Sequence, residues 1–155
     1  MTASAMKWLI LVLSVLGLAD SWYLAQSALT DTPLACGIDS IDGCNVVAQS
    51  VYSHLFGIPL GVYGVGFYAV LIIVAAFAIA RSIAWTRMSL LLLGVVGVVA
   101  SIIFEAVQVF LIKAICIYCL GSAILCLVIF AIALVLWRKE RIPAEPSVPA
   151  GTVVS

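Results

Sequence analysis

Residues 112–137 read IKAICIYCLGSAILCLVIFAIALVLW. From Ile115 to Trp137 the run is apolar, uncharged and free of alternation. It reaches the roughly 20 residues that carry a helix across a bilayer core of about 30 Å. Inside lipid a segment must satisfy its own backbone, which a helix does; a barrel strand would alternate apolar and polar residues. Three similar runs precede it, at residues 8–29, 58–80 and 89–112. The chain of 155 residues is 66% hydrophobic and 9% charged, a balance foreign to water-soluble domains. The sequence therefore predicts an all-α integral membrane protein: a bundle of four transmembrane helices over residues 8–29, 58–80, 89–112 and 115–137. Formal net charge is zero, with no basic patch for nucleic acid.

Basic residues set the expected orientation. Lys7 precedes the first run, Arg81 and Arg87 separate the second and third, and Arg138, Lys139 and Arg141 follow the fourth. With four spans all six fall on one side, the cytoplasmic side of an inner or plasma membrane, and only Lys113 falls opposite. Both termini are then inside, and the loop 30–57 and the turn 112–115 face the periplasmic or extracellular space. Lys7, the apolar run after it and small residues near Ala25–Ala28 also imitate a signal peptide. Cleavage there would leave three spans and a less coherent charge pattern. After Trp137 the sequence is polar and proline-rich, and residues 138–155 read as a disordered cytoplasmic tail.

The outer loop has two parts. Residues 30–43 carry turn chemistry in Asp31, Pro33, Gly37, Asp39, Asp42 and Gly43. Residues 44–56 place Val47, Val51 and Leu55 four apart, the pattern of an amphipathic helix of about three turns. Too short to span, it would lie as a lid on the outer face of the bundle with Cys44 at its start, Gly57 ending it and Pro59 entering the next span. Small residues at Gly61, Gly64, Gly94, Gly97 and Gly121 permit close helix packing.

Five cysteines concentrate the chemistry. Cys116 and Cys119 form a C-x-x-C at the start of the last span, where unpaired N–H groups and the helix dipole favour a thiolate. A sulfur there is accessible both to exported space and to a molecule dissolved in the bilayer. Cys36 and Cys44 enclose seven residues with two glycines and two aspartates, a composition for a mobile loop. That pair reads equally as a static brace or as a shuttle exchanging electrons with a soluble partner; beside a C-x-x-C on the same surface, the shuttle gains weight. The spacing C-x7-C with a distant C-x2-C is poor for a zinc site, and no metal is expected. Cys126 reads as a small packing hydrophobe.

An outer-loop Cys-x7-Cys (Cys36, Cys44), Ser50 six residues on, Phe-Gly-Ile-Pro-Leu-Gly-Val-Tyr-Gly at residues 56–64, and Cys-Ile-Tyr-Cys-Leu at 116–120 together resemble the vitamin K epoxide reductase family. The resemblance covers residues 6–137 and is strongest to the bacterial quinone reductases that form disulfide bonds. It implies a catalytic domain over residues 1–137. It implies that Cys119 lies beside a quinone (menaquinone, ubiquinone or a vitamin K type), with Cys116 as resolving partner. Cys44 would relay electrons to Cys116, and Cys36 would exchange with a DsbA-type thioredoxin-like protein. Ser50 would place its hydroxyl near the reactive centre. The vertebrate pattern holds the quinone oxygens with an asparagine and a tyrosine; the corresponding positions here are Leu60 and Ala123, neither able to hydrogen-bond. Reduction of vitamin K epoxide is therefore disfavoured, and another quinone or another binding mode is favoured.

Asp20, His54, Glu105 and Gln108 are polar groups in or beside the outer halves of the spans, where ionisable side chains are costly. Asp20 reads as helix–helix bonding or snorkelling. Glu105 and Gln108 fit a proton relay or quinone hydrogen bonding as well as packing, and His54 ends the short helix. Trp22, Tyr52, Phe56 and Tyr118 suit an interfacial aromatic belt, with Phe56 and Tyr118 as further candidates for the quinone pocket. The rival readings are a true vitamin K epoxide reductase and a non-catalytic four-span protein braced by a Cys36–Cys44 disulfide.

Overall fold

The structure, a computed structural model, describes residues 2–36, 43–81 and 83–141, the side chains of residues 140 and 141 excepted. The expected mobile segment between Cys36 and Cys44 lies mostly outside the described residues, as does the tail after residue 141. Four long helices are apolar enough to cross a membrane: α1 (Ala3–Thr30), α3 (Leu60–Ala80), α4 (Ala84–Ala106, continued as a wide π turn over Val107–Ile112) and α5 (Ile117–Arg141). Between α1 and α3 lie a short helix α2 (Gly43–Ala48), a single 3-10 turn (Val51–Ser53) and a two-stranded hairpin of β1 (His54–Leu55) and β2 (Ile58–Pro59).

Helix ends have local causes. The Thr2 hydroxyl accepts from the Ala5 amide at the start of α1, and Asp31 closes the other end in a left-handed conformation, a common helix stop. At the far end of α4, Lys113 takes the left-handed conformation and its amide, like that of Ala114, donates to the Gln108 carbonyl. At the other boundary α5 runs past Trp137 to Arg141, so the first tail residues continue the last span.

The spans pack in a ring in chain order: α1 on α3, α3 on α4, α4 on α5, and α5 back on α1. Ile10, Leu71, Ala75, Leu90, Ile129 and Ala133 fill the centre, while Leu16, Ile73, Phe77, Leu92, Ile102 and Leu127 stay exposed, as lipid-facing side chains do. Glycines set the close approaches. Gly61 rests on the Ala25 backbone, and Gly17 leaves its space to the Tyr68 ring. Gly17→Ala is expected to push a methyl into that ring. Overpacking of about 1–3 kcal/mol, offset by about 1 kcal/mol of alanine's better helix propensity, gives a net loss of up to about 2 kcal/mol. A lower thermal midpoint in detergent, followed by circular dichroism, checks it.

The lid is not the three-turn helix that the spacing predicts. α2 stops at Ala48. Ser50 turns extended, and its hydroxyl donates to the Val47 carbonyl at 2.8 Å. The Ser53 hydroxyl repeats the arrangement on the Ser50 carbonyl. Serine side chains that bond nearby carbonyls compete with helix continuation. Phe56 and Gly57 then both adopt positive φ, 53° and 80°, reversing the chain into the hairpin. Val47 packs inward, yet Val51 is 84% exposed, so the four-residue spacing marks no common face. Gly57 therefore sits in a hairpin turn and ends no helix. Pro59 lies on β2 and caps α3 from outside its first turn.

Candidate active site

The end of α1, the short helix α2 and the start of α5 converge. Cys116 stands just before α5, and its carbonyl accepts the Leu120 amide that opens the helix. Its own amide donates to Gln108 Oε1 at 2.8 Å. Gln108, 2% exposed, comes from the π turn, an insertion frequent at functional sites. The end of α4 thus fixes the backbone of the C-x-x-C. Cys119 follows in the first turn of α5 and is half-buried.

Cys44 is the second residue of α2 and fully buried. Its neighbour Gly43 lies so close to the Ile115 carbonyl that a Cβ would have no room, which seats α2 directly on the approach to Cys116. The segment before Cys36, which turns so that the Cys36 amide donates to the Leu34 carbonyl at 3.0 Å, is held by three side chains. Asn45 bonds both the amide and the carbonyl of Leu34, at 2.8 and 3.3 Å. Tyr23 accepts from the Ala35 amide at 3.0 Å, and Tyr118 donates to the Ala35 carbonyl at 2.8 Å. The two tyrosine rings lie 5.2 Å apart. Asn45 and Tyr23 carry no sequence signal for this clamp; it forms only once α1, α2 and α5 meet.

Leu34, Cys44 and Cys116 form a buried cluster with Cys36, Cys119, Val47 and Tyr118 packed on it. Cys36, Cys44, Cys116 and Cys119 therefore share one patch, as free thiols. Their electrostatics are uneven. The neighbouring Cys119 sulfur, helped by burial, pushes the Cys116 thiol well up. Burial and the Cys44 sulfur push the Cys36 thiol up to about 11. The thiolate expected at the helix start is thus disfavoured at Cys116, which precedes the helix and is buried.

Below the cluster a mainly apolar cavity of about 270 Å³ opens between the spans. Cys44, Cys116, Cys119, Ser50, Glu105 and Gln108 all border it. So does Leu60, the apolar residue at the asparagine position of the vertebrate pattern. Cys36 and Tyr118 sit in the sulfur cluster and not in the cavity wall. Phe56 is elsewhere: at the hairpin tip, 93% exposed and outside the wall. His54 is exposed on β1 with its Nδ1 on the Ser53 hydroxyl. Cys126 packs in the core as expected, but it also borders the cavity and lies 3.4 Å from the Tyr68 hydroxyl.

Four spans with two cysteine pairs meeting over an apolar cavity define a membrane redox protein of the thiol–disulfide class. The model of the vitamin K epoxide reductase family matches residues 8–134, and the chain belongs to that family. No curated protein matches the chain.

Proposed function

We propose that this oxidoreductase takes electrons from an exported, DsbA-type thioredoxin-like protein and passes them to a membrane quinone, so supporting disulfide formation outside the cytoplasm. The gathering of Cys36, Cys44, Cys116 and Cys119 in one cluster at the edge of the cavity carries this reading. In the first step two thiols of the partner reduce a Cys36–Cys44 disulfide. The freed Cys44 attacks a Cys116–Cys119 disulfide at Cys116, and Cys36 resolves the mixed disulfide. Each exchange breaks one S–S bond, forms another and moves two electrons. Cys116 and Cys119 end as two thiols.

The cavity fits a quinone ring. Its wall is mainly apolar, its volume lies near the lower end of small-molecule sites, and a few polar groups converge at one end. When bound, a quinone supplies a sink for two electrons and two protons. Cys119 is the sulfur that meets it, because Cys116 is buried and held as the thiol of the pair. Gln108 fixes the backbone of Cys116, and Ser50 and Glu105 place a hydroxyl and a carboxyl on the cavity wall. Tyr118 holds the Cys36 segment, and Phe56 anchors the hairpin in lipid. We place the catalytic domain at residues 1–137, both termini in the cytoplasm and the cysteine cluster on the outer side, from the six basic residues that share one face of the bundle.

The test is quinone reduction by the purified protein in detergent, followed by absorbance, with a reduced DsbA-type protein as donor. Continuous turnover is expected. Folded protein that turns over with none of several quinones and donors would return the chain to the reading of a braced four-span scaffold.

A further inference from the structure

The cavity has a second polar end that the cysteine relay does not use. Ser122 and Cys126 follow Cys119 one and two turns along α5, and all three border the cavity. The Ser122 hydroxyl lies 2.8 Å from the hydroxyl of Tyr68 on α3. Tyr68 is 1% exposed, its ring wedged against Gly17. Ser122 is only half-buried. Ser14 and Ser89, on other spans, turn their hydroxyls back onto the carbonyl four residues earlier. Ser122 has a phenol as its partner instead. Either hydroxyl can donate in that contact, and the Tyr68 hydroxyl also reaches the Ser122 carbonyl at 3.3 Å; when Tyr68 donates to Ser122 Oγ, the serine proton is free for the cavity.

We propose that Ser122, oriented by Tyr68, donates a hydrogen bond to the carbonyl of a bound quinone that lies deeper than Cys119. This rests on the quinone reading above. In an apolar pocket the few fixed polar groups set orientation and selectivity, and one helical turn, about 5 Å, separates Ser122 from the sulfur. Ser122 is a binding residue and Tyr68 a positioning residue. The pair supplies the hydrogen bonding that Leu60 and Ala123 lack.

The probe is duroquinone, whose fully substituted ring resists thiol addition. Its binding is measured by titration calorimetry on protein oxidised beforehand, so that no electrons move, and its KM is measured in turnover. Ser122→Ala is expected to weaken binding about tenfold, the effect of one hydrogen bond, and to raise KM more than it lowers kcat. Ser122→Thr should restore most of the loss, and Tyr68→Phe should reproduce part of it. Wild-type binding with Ser122→Ala and Tyr68→Phe both within twofold of it overturns the proposal. If Ser122→Ala loses its thermal transition, Tyr68→Phe alone decides by the same criterion. A wild type that neither binds nor reduces any quinone overturns the function proposed above, and this inference with it.

Discussion

Cys119→Ala is expected to lower quinone reduction by at least about a thousandfold, the scale on which loss of a reacting nucleophile registers. Three observations make Cys119 irreplaceable. It lies in the first turn of α5 on the cavity wall. Cys116, its partner, is 1% exposed with its thiol pushed up by Cys119 itself and by burial. Cys126 lies two turns deeper, packed on Tyr68. The same variant makes a second, independent prediction. Combined with Cys36→Ala, which removes the resolving thiol, it should trap a Cys44–Cys116 disulfide on mild oxidation, because those two buried sulfurs share one cluster. Mass spectrometry of the alkylated, digested protein reads that bond directly. Retained turnover in Cys119→Ala would remove the cavity from the electron path. Lost turnover without the trapped bond would remove Cys44 from it.

The parts of this molecule that depend on composition are legible in the sequence. Four uncharged or nearly uncharged runs allow no other form in lipid than spanning helices, and the structure has them. The two cysteine pairs fall at the ends of runs, so their arrival at one face follows from an even number of crossings. What is not legible depends on competition between local bonds. Val47, Val51 and Leu55 carry a helical spacing, but the serines at 50 and 53 satisfy carbonyls that a helix would need, and Phe56 and Gly57 turn the chain. A polar residue's role is also hidden when its partner is distant in sequence. Tyr68 and Ser122 are 54 residues apart, and each alone reads as ordinary span packing. The Asn45 clamp on Leu34 is hidden for the same reason. Phe56 shows the opposite error. Its place in a motif suggests the pocket, while its place in the fold is an exposed hairpin tip outside the cavity wall.

Cys36→Ala is expected to cut turnover with a reduced thioredoxin-like donor by at least about a hundredfold, and turnover with dithiothreitol far less. The asymmetry follows from access. Cys44 is fully buried and Cys116 nearly so, and thiol–disulfide exchange needs the attacking sulfur to reach its target. A folded protein can approach only the half-exposed Cys36, which the Asn45, Tyr23 and Tyr118 clamp presents beside the bundle. A small dithiol has a second entry, the half-buried Cys119 sulfur on the cavity wall. The pH dependence also follows from the sulfurs. Thiolate is the nucleophile, so a Cys36 thiol pushed up to about 11 stays protonated near neutral pH. It is then slow both to attack the disulfide it has just made on the partner and to resolve the Cys44–Cys116 bond. Raising the pH toward 11 should therefore speed the reverse reaction, reduction of an oxidised partner by the reduced enzyme, and Cys36→Ala should abolish that acceleration. Equal losses with both donors would mean that Cys36 supports the fold and not the exchange, and circular dichroism of the variant would show it. Unchanged turnover with the protein donor would place the entry point for electrons at another sulfur.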